Sequence, residues 1–166
     1  MVKVKYTYED FISNIGEEHL DFYHDVRTLL TERGFKSKVE LKKTGYALTY
    51  IQSSNKKTLI NFVNRKKGMF MRLYSNHTDA YMDKIMTLPE NMIKELKKGQ
   101  VCKRMIDPDA CNSKCKMGVN LLIDGQVHAK CRYSALFFHI EADKYKELLD
   151  LIESETNERL MEISNK

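Results

Sequence analysis

The stretch VELKKTGYALTYI, residues 39–51, decides the fold of this chain. Val39 and Leu41 alternate with charged residues, and residues 46–51 are rich in the β-branched and aromatic types that favour strands. Thr44-Gly45 lies between the two runs, where a glycine is typical of a tight turn. The stretch therefore predicts an antiparallel β-hairpin.

Strand and helix signals alternate around this hairpin. A second hairpin is predicted from residues 59–64 and 69–74, and a third turns through Asp124-Gly125, a pair typical of two-residue β-turns. Apolar residues at helical spacing predict long helices over residues 17–33 and 143–163. We therefore expect an α+β fold of mostly antiparallel strands in hairpins, with helices packed on one side. Shorter helices are expected over residues 8–15, 79–87 and 90–98, and a last strand over residues 135–140.

The chain of 166 residues is expected to form a single domain, residues 1–166. Residues 37–98 and residues 117–163 show strand and helix patterns in the same order, with Phe70 and Phe137 in matching positions. We call this similarity the internal echo. The echo predicts two βββα-like halves related by a pseudo-two-fold axis, with residues 101–116 as a cysteine-bearing insertion. Two unrelated segments with similar amphipathic patterns would show the same echo. Both a duplication and a chance similarity therefore stay open.

The composition is that of an ordinary soluble protein, with 42% hydrophobic and 31% charged residues. No apolar run approaches the ~20 residues that cross a bilayer, and the first nine residues lack the apolar segment of a secretory signal. We therefore expect a cytoplasmic protein without a membrane partner, whose thiols stay reduced. The net charge of +5 is mild, so it permits an acidic partner without requiring one.

Four cysteines fall within residues 102–131, and each lies close to a Lys or an Arg. Such clustering indicates a metal site, because zinc prefers four tetrahedral thiolate or imidazole ligands. We therefore predict a structural zinc site formed by Cys102, Cys111, Cys115 and Cys131. The spacing also allows small core cysteines, a redox pair such as Cys111 and Cys115, or an iron–sulfur cluster.

The cysteine segment also resembles a known family. The run Cys111-Asn112-Ser113-Lys114-Cys115, followed by Gly118 and then by Lys130-Cys131-Arg132-Tyr133, is similar to an uncharacterised family of small bacterial proteins. The similarity covers about residues 70–140. It implies a cytoplasmic single-domain protein with these cysteines as its hallmark, and it implies no activity and no substrate.

Two polar residues, Arg72 and His139, interrupt apolar strands at equivalent positions of the echo. Such residues either face solvent from a one-sided sheet or line a cleft between the halves, where ligands tend to bind. In the second case Glu141 is close enough in sequence to orient His139. We therefore take Arg72 and His139 as candidate residues for binding a cofactor or small ligand.

The basic middle of the chain, residues 36–67, supports a further alternative. It carries nine Lys or Arg and one acid, with aromatic residues between them, which is typical of surfaces that bind single-stranded nucleic acid. Leu48, however, lies between Tyr46 and Tyr50 on the same strand face, which indicates that this face belongs to the core. Two solvated faces of opposite charge also explain the pattern. Nucleic-acid binding through residues 36–67 therefore stays an alternative.

The sequence holds no phosphate loop, nucleophile elbow or HExxH motif. The leading hypothesis is therefore a non-enzymatic binding or regulatory module with a structural zinc site. Its partner, a small molecule or a protein, is expected in the cleft between the halves. The alternative from another class is a thiol-based redox or small-molecule-modifying enzyme that uses Cys111 or Cys115. The sequence does not indicate an oligomeric state.

Overall fold

A computed structural model of the protein describes residues 2–166, and Met1 lies outside this range. Its strands are β1 Phe35–Lys42, β2 Gly45–Gln52, β3 Thr58–Arg65, β4 Gly68–Leu73, β5 Val119–Ile123, β6 Gln126–Lys130 and β7 Phe137–His139. Its α-helices are α1 Tyr8–Ile12, α2 Leu20–Glu32, α3 Met82–Met86, α4 Glu90–Lys98, α5 Lys103–Ile106 and α6 Tyr145–Ser164. Short 3-10 helices cover Glu17–His19, Thr78–Tyr81 and Ala142–Lys144.

Two sheets form within residues 2–166. One is a five-stranded antiparallel sheet in the order β1–β2–β3–β4–β7, and the other is the hairpin β5–β6. Helices pack against the five-stranded sheet, so the expected α+β fold is confirmed. Strands β3 and β4 are neighbours in one sheet, whereas β6 and β7 belong to different sheets. In the described part of the chain, every helix is too short or too polar to cross a membrane.

The first hairpin forms as the sequence predicts, with Val39 opposite Leu48. Its turn falls one residue earlier than we expected, on residues 43–44, because Gly45 already pairs with Lys42 and begins β2. Gly45 has φ +127°, a conformation that residues with a side chain rarely adopt. The expected position of the turn, on Thr44-Gly45, is therefore corrected.

The first helix shows how local sequence sets an element boundary. The backbone N–H of Asp10 donates to Oγ1 of Thr7 at 3.3 Å, and the backbone N–H of Thr7 donates back to the Asp10 carboxylate at 2.6 Å. This capping box satisfies two amides that have no partner inside the helix. The helix ends at Ile12, however, rather than at residue 15. A second difference is α5, a short helix within residues 101–116, for which the sequence predicted no helix or strand.

The chain divides into two compact units. The first comprises Met1–Arg72 and His139–Leu149, and the second comprises Leu73–Phe138 and Asp150–Lys166. The single domain and the internal repeat stay predictions.

In the first unit, α1 and α2 pack against β1 and β2 around an aromatic core. The ring of Phe22 stacks on Tyr145 with centroids 4.7 Å apart, and the edge of Tyr23 meets Phe62 at 5.1 Å. Such pairs add to the free energy that burial of the rings provides. Tyr50 is fully buried in the same core, which agrees with the expectation that its strand face points inward.

In the second unit, α3 packs against β5. Leu121, Ile123 and Ile85 are almost fully buried there. Lys130 is also buried, and its Nζ donates to the carbonyl oxygens of Lys97 at 3.0 Å and Gly99 at 2.7 Å. A cation at this position satisfies carbonyl groups that the end of α4 leaves without helical partners.

Candidate functional site

The first unit contains a cavity of about 510 Å³ beside the turn between β3 and β4. Its walls come from four places in the chain: residues 11–19, the beginning of β2, residues 64–69, and residues 139–142. The cavity is larger than a few water molecules need, and its size falls within the usual range for small-molecule sites. It is therefore one place in the first unit where a small molecule could bind.

His139 lines this cavity, and its ring is held on both sides. Nδ1 lies 3.0 Å from Oε1 of Glu141, and Nε2 lies 2.8 Å from the backbone oxygen of Lys67. A carboxylate and a carbonyl are both acceptors, so the ring satisfies both contacts when each nitrogen carries a hydrogen. The expected role of Glu141 in orienting His139 is thus seen in the geometry.

A buried lysine completes this group. Lys144 is 3% exposed, and its Nζ lies 2.7 Å from Oε2 of Glu141 and 3.2 Å from the carbonyl oxygen of His139. The hydrogen bond from Lys144, together with its charge, holds the pKa of Glu141 below the ordinary range. Lys144 thus holds His139 and Glu141 in place, and these two residues form one wall of the cavity.

A second histidine, His19, lies on the side formed by residues 11–19. Its Nδ1 forms a hydrogen bond with the hydroxyl of Tyr145, and its Nε2 lies 3.5 Å from Oε1 of Glu18. Burial raises the pKa of Tyr145, and the nearby charge of Glu18 acts in the same direction. The phenol therefore stays neutral near pH 7 and acts as a hydrogen-bonding group.

The remaining lining combines apolar and polar groups. Phe11 and Met69 supply apolar surface, whereas Asn64 and Lys67 supply an amide and an ammonium group. Binding sites for small organic molecules are mostly apolar, and a small number of well-placed polar groups fixes the orientation of the ligand. The arrangement can therefore hold an organic molecule and orient one charged or polar end of it.

Arg72, the other predicted ligand-binding residue, has a different place. It lies on β4 between Met71 and Leu73, which are fully buried, so its side chain lies on the opposite face of the sheet. It is half-buried, and in the described part of the chain it is not among the residues that line the cavity. The structure therefore places His139 in the cavity and Arg72 outside it.

The four cysteines lie in the second unit, and they differ in exposure. Cys102 is buried, Cys111 is exposed, and Cys115 and Cys131 are half-buried. The Sγ of Cys102 accepts a hydrogen bond from the backbone N–H of Gly118 at 3.2 Å. Within residues 2–166, no three side chains of His, Cys, Asp or Glu are grouped so that they could hold a metal ion. The structure therefore does not bring the predicted zinc ligands together.

Sequence reasoning missed a buried polar network around Glu155, also in the second unit. Its fully buried carboxylate accepts hydrogen bonds from Ser75 Oγ at 2.9 Å, Tyr81 Oη at 2.7 Å and the backbone N–H of Asn76 at 2.9 Å. Arg159 Nε donates at 3.1 Å. Burial by itself raises the pKa of Glu155, but these donors and the arginine charge together hold it below the ordinary value.

Two further side chains extend this network. His77 places Nδ1 3.1 Å from Glu155 and Nε2 3.3 Å from Glu162. Arg132 donates to the backbone oxygen of Ser75 at 2.5 Å and to that of Met117 at 3.0 Å. With so many partners for its buried groups, the network holds distant segments of the second unit together. In the sequence this network shows only as three consecutive polar residues, 154–156, within a predicted helix. Helical periodicity alone assigns such polar residues to the exposed face, although here they are buried.

No protein-family model matches this sequence, and neither does any curated protein or solved structure. The geometry of the side chains is therefore the basis for a functional proposal.

Proposed function

We propose that this protein is a cytoplasmic, non-enzymatic binding or regulatory module that takes a small organic anion in the cavity of the first unit. The observation that carries the proposal is the cavity itself, with the ordered group His139, Glu141 and Lys144 in its wall. A wall that is already ordered loses little conformational entropy when a ligand binds. The site is therefore prepared for a ligand.

The charge of the lining favours an anion. Glu141 is the acid of the wall, and it already lies against the Lys144 ammonium and the His139 ring. Lys67 is exposed at the rim and follows two further cations, Arg65 and Lys66, in the turn between β3 and β4. An incoming carboxylate or phosphate group therefore meets a local surplus of positive charge, while the apolar wall contacts its organic part.

Thermal shift and calorimetry with small organic anions test the proposal. Benzoate, phenyl phosphate and aliphatic dicarboxylates are suitable probes, because each joins an anionic end to an apolar body. We expect at least one to raise the melting temperature, since a ligand that binds only the folded state stabilises it. Lys67→Gln should weaken that binding about fivefold or more.

Lys66→Gln is the matched control, because Lys66 is exposed in the same turn and does not line the cavity. It should leave the affinity within about twofold. Equal losses in the two variants, or no response to any of the probes, would contradict the proposal.

We also propose the structural zinc site, which rests on the four cysteines of the sequence. Within residues 2–166 no three possible metal ligands are grouped, so a site with four thiolates requires some of the four cysteines to move. The experiment is elemental analysis of the untagged protein, with titration of its thiols before and after zinc is added. About one zinc per chain and four protected thiols would support the site. Four freely titrating thiols and no metal would exclude it.

A thiol-based enzyme is the second candidate, and the exposure of Cys111 favours it. A catalytic thiol must be reachable and react as the thiolate. Rapid alkylation of Cys111 or Cys115 by iodoacetamide near pH 7, faster than that of free cysteine, would support this candidate. A rate equal to or below that of free cysteine would remove it.

A further inference from the structure

In the first unit, α1 and α2 pack on the buried face of β1 and β2, and we call the other face of this sheet the open face. Residues of even number on β1 and of odd number on β2 point to this side, since the residues of opposite parity, such as Val39 and Leu48, are buried. The side chains on the open face are exposed or half-buried, apart from the small Ala47. The open face includes Lys36, Lys38, Glu40, Lys42, Ala47, Thr49, Ile51, Thr58, Asn61, Val63, Arg65, Phe70 and Arg72.

The charge of the open face is positive. Lys36, Lys38 and Lys42 follow one another along β1, and Arg72 lies on β4. Glu40 is the acid of this face, and its carboxylate lies 3.2 Å from Lys38 Nζ and 3.4 Å from Lys42 Nζ. The hydrogen bond from Lys38 is the main reason that the pKa of Glu40 lies below the ordinary range. With Arg65 at the end of β3, five cations against one ionised acid complement a polyanion.

The centre of the open face has a different chemistry. A shallow hollow of about 310 Å³ lies there, and small or β-branched residues such as Thr49, Ile51 and Val63 form its floor. The hydroxyl of Thr49 donates to Oδ1 of Asn61 at 2.8 Å, so the Thr49 oxygen is held in place and keeps its capacity to accept a hydrogen bond. Phe70 on β4 adds an aromatic ring, which lies 4.9 Å from the ring of His139.

The lysines of β1 form a row along one side of the open face. Beside them lies the uncharged surface of Thr49, Ile51 and Val63 on β2 and β3, which we call the platform. Neighbouring strands lie about 4.8 Å apart, so β1 and β4 are separated by roughly 14 Å. Lys36 and Lys38 are two residues apart on one strand, about 6.6 Å, so they can contact separate phosphates. Bases that extend from such a backbone would lie over β2 and β3 and reach the ring of Phe70, because bases stack on aromatic and apolar surfaces.

We propose that the open face binds single-stranded RNA, with phosphates on Lys36, Lys38 and Lys42 and bases on the platform. A sheet surface presents bases with a flat face but does not enter a duplex groove, which favours a single strand. RNA is favoured over DNA because the Thr49 oxygen, whose proton is donated to Asn61, can accept a hydrogen bond from the 2′-hydroxyl that DNA lacks. Lys36, Lys38 and Lys42 belong to the basic segment of residues 36–67, whereas Lys43, Lys56 and Lys57 of that segment lie in the connections at the two ends of β2.

Fluorescence anisotropy with a labelled 12-nucleotide single-stranded RNA of mixed sequence tests this proposal. We expect micromolar binding at low salt that weakens steeply as salt rises. The double variant Lys36→Gln/Lys38→Gln should bind at least about tenfold more weakly. Its salt slope should be shallower by about 1.4, since each phosphate contact on a single strand contributes about 0.7. Thr49→Val should weaken RNA binding while leaving binding of the same DNA sequence unchanged.

The control is Lys43→Gln/Lys57→Gln, which removes the same charge from the turns at the two ends of β2. It should change the affinity less than about threefold. No binding at low salt, or equal losses in the two double variants, would overturn the proposal. Equal or tighter binding of duplex RNA, single-stranded DNA, polyglutamate or anionic vesicles would also overturn it, because the surface would then recognise charge alone or another partner. Small-anion binding in the cavity should persist in Lys36→Gln/Lys38→Gln, so this test and the cavity test can fail separately.

Discussion

The hydroxyl of Ser75 lies 2.9 Å from Oε2 of Glu155 and links two positions that are 80 residues apart in the chain. Tyr81 donates to the same oxygen at 2.7 Å, so two hydroxyl groups converge on one buried carboxylate oxygen. Convergence of this kind stabilises the ionised form of the carboxylate. The stability of the second unit should therefore depend on the negative charge of Glu155.

The first prediction concerns removal of that charge. Glu155→Gln leaves Arg159 and the other donors around it without their anionic partner in a buried site. We expect the free energy of unfolding to fall by about 3 kcal/mol, measured by urea denaturation, because breaking one side of a buried ion pair is costly. Glu153→Gln, at an exposed position of the same helix, is the control and should change it by less than about 0.5 kcal/mol. Similar changes in both variants would show that the buried charge is unimportant.

The second prediction concerns acid. The pKa of Glu155 in the folded protein lies below its ordinary value of 4.5, so the unfolded chain takes up the proton at a higher pH than the folded one. The contribution of this carboxylate is therefore complete above about pH 5 and is lost as the pH falls through the folded pKa. The stability difference between the wild type and Glu155→Gln should shrink from pH 6 to pH 3. A constant difference over this range would contradict the low pKa.

The third prediction concerns buried phenols in the first unit. Tyr50 Oη is buried and has no hydrogen-bond partner among residues 2–166, and burial strongly raises its pKa. Tyr50→Phe should therefore stabilise the protein by about 1 kcal/mol, since an unpaired buried hydroxyl carries a desolvation cost.

Tyr8→Phe is the opposite case. The Tyr8 hydroxyl lies 3.2 Å from Nδ1 of His24, and burial raises its pKa to about 12. Loss of that hydrogen bond should destabilise the protein by about 1 kcal/mol. Thermal and urea denaturation of both variants check the pair. A destabilised Tyr50→Phe variant would mean that the Tyr50 hydroxyl has a partner, such as a buried water molecule.

The fourth prediction compares two glycines of the second unit. A Cβ on Gly118 would overlap the carbonyl oxygen of Lys130 and lie 2.7 Å from the Cβ of Cys102, so Gly118→Ala should cost about 2–3 kcal/mol. Gly125 has φ +78° and open space around it, so Gly125→Ala should cost only about 1 kcal/mol, for the left-handed backbone.

Thiol labelling separates the two effects. Gly118→Ala disturbs the hydrogen bond from the Gly118 amide to the Cys102 sulfur, so Cys102 should react faster with a thiol reagent under native conditions. Gly125→Ala should leave that rate unchanged, because Gly125 lies in the turn between β5 and β6, away from this contact. Equal labelling rates in both variants would argue against close packing at Gly118.

Local signals predicted the elements of the fold. The alternation of residues 39–51 predicted the two strands of the first hairpin, and the helix expected over residues 8–15 begins at Tyr8, as α1 does. Asp124 and Gly125, with φ of 50° and 78°, form the two-residue turn that their sequence favours. These features depend on neighbours within a few residues, so sequence carries them directly.

The candidate sites were predicted less completely. His139 and Glu141 were recognised as a pair because they are close in sequence. The placement of Lys67 against His139 depends instead on β4 lying next to β7, which strand patterns do not specify. Arg72 matched His139 in the sequence echo, yet it lies outside the cavity. Alternation reveals the two faces of a strand, but not what covers each face.

The sequence by itself determined the strands, the helices and the strand faces that are apolar, because hydrophobic periodicity and turn residues act over a few positions. Only the tertiary structure decided which distant residues meet. It surrounded the buried Glu155 carboxylate with donors from the segment that follows β4, placed the predicted metal ligands at different depths, and left the basic side of the sheet open. The physical reason is that burial and charge pairing depend on the whole packed chain, which local propensity does not encode.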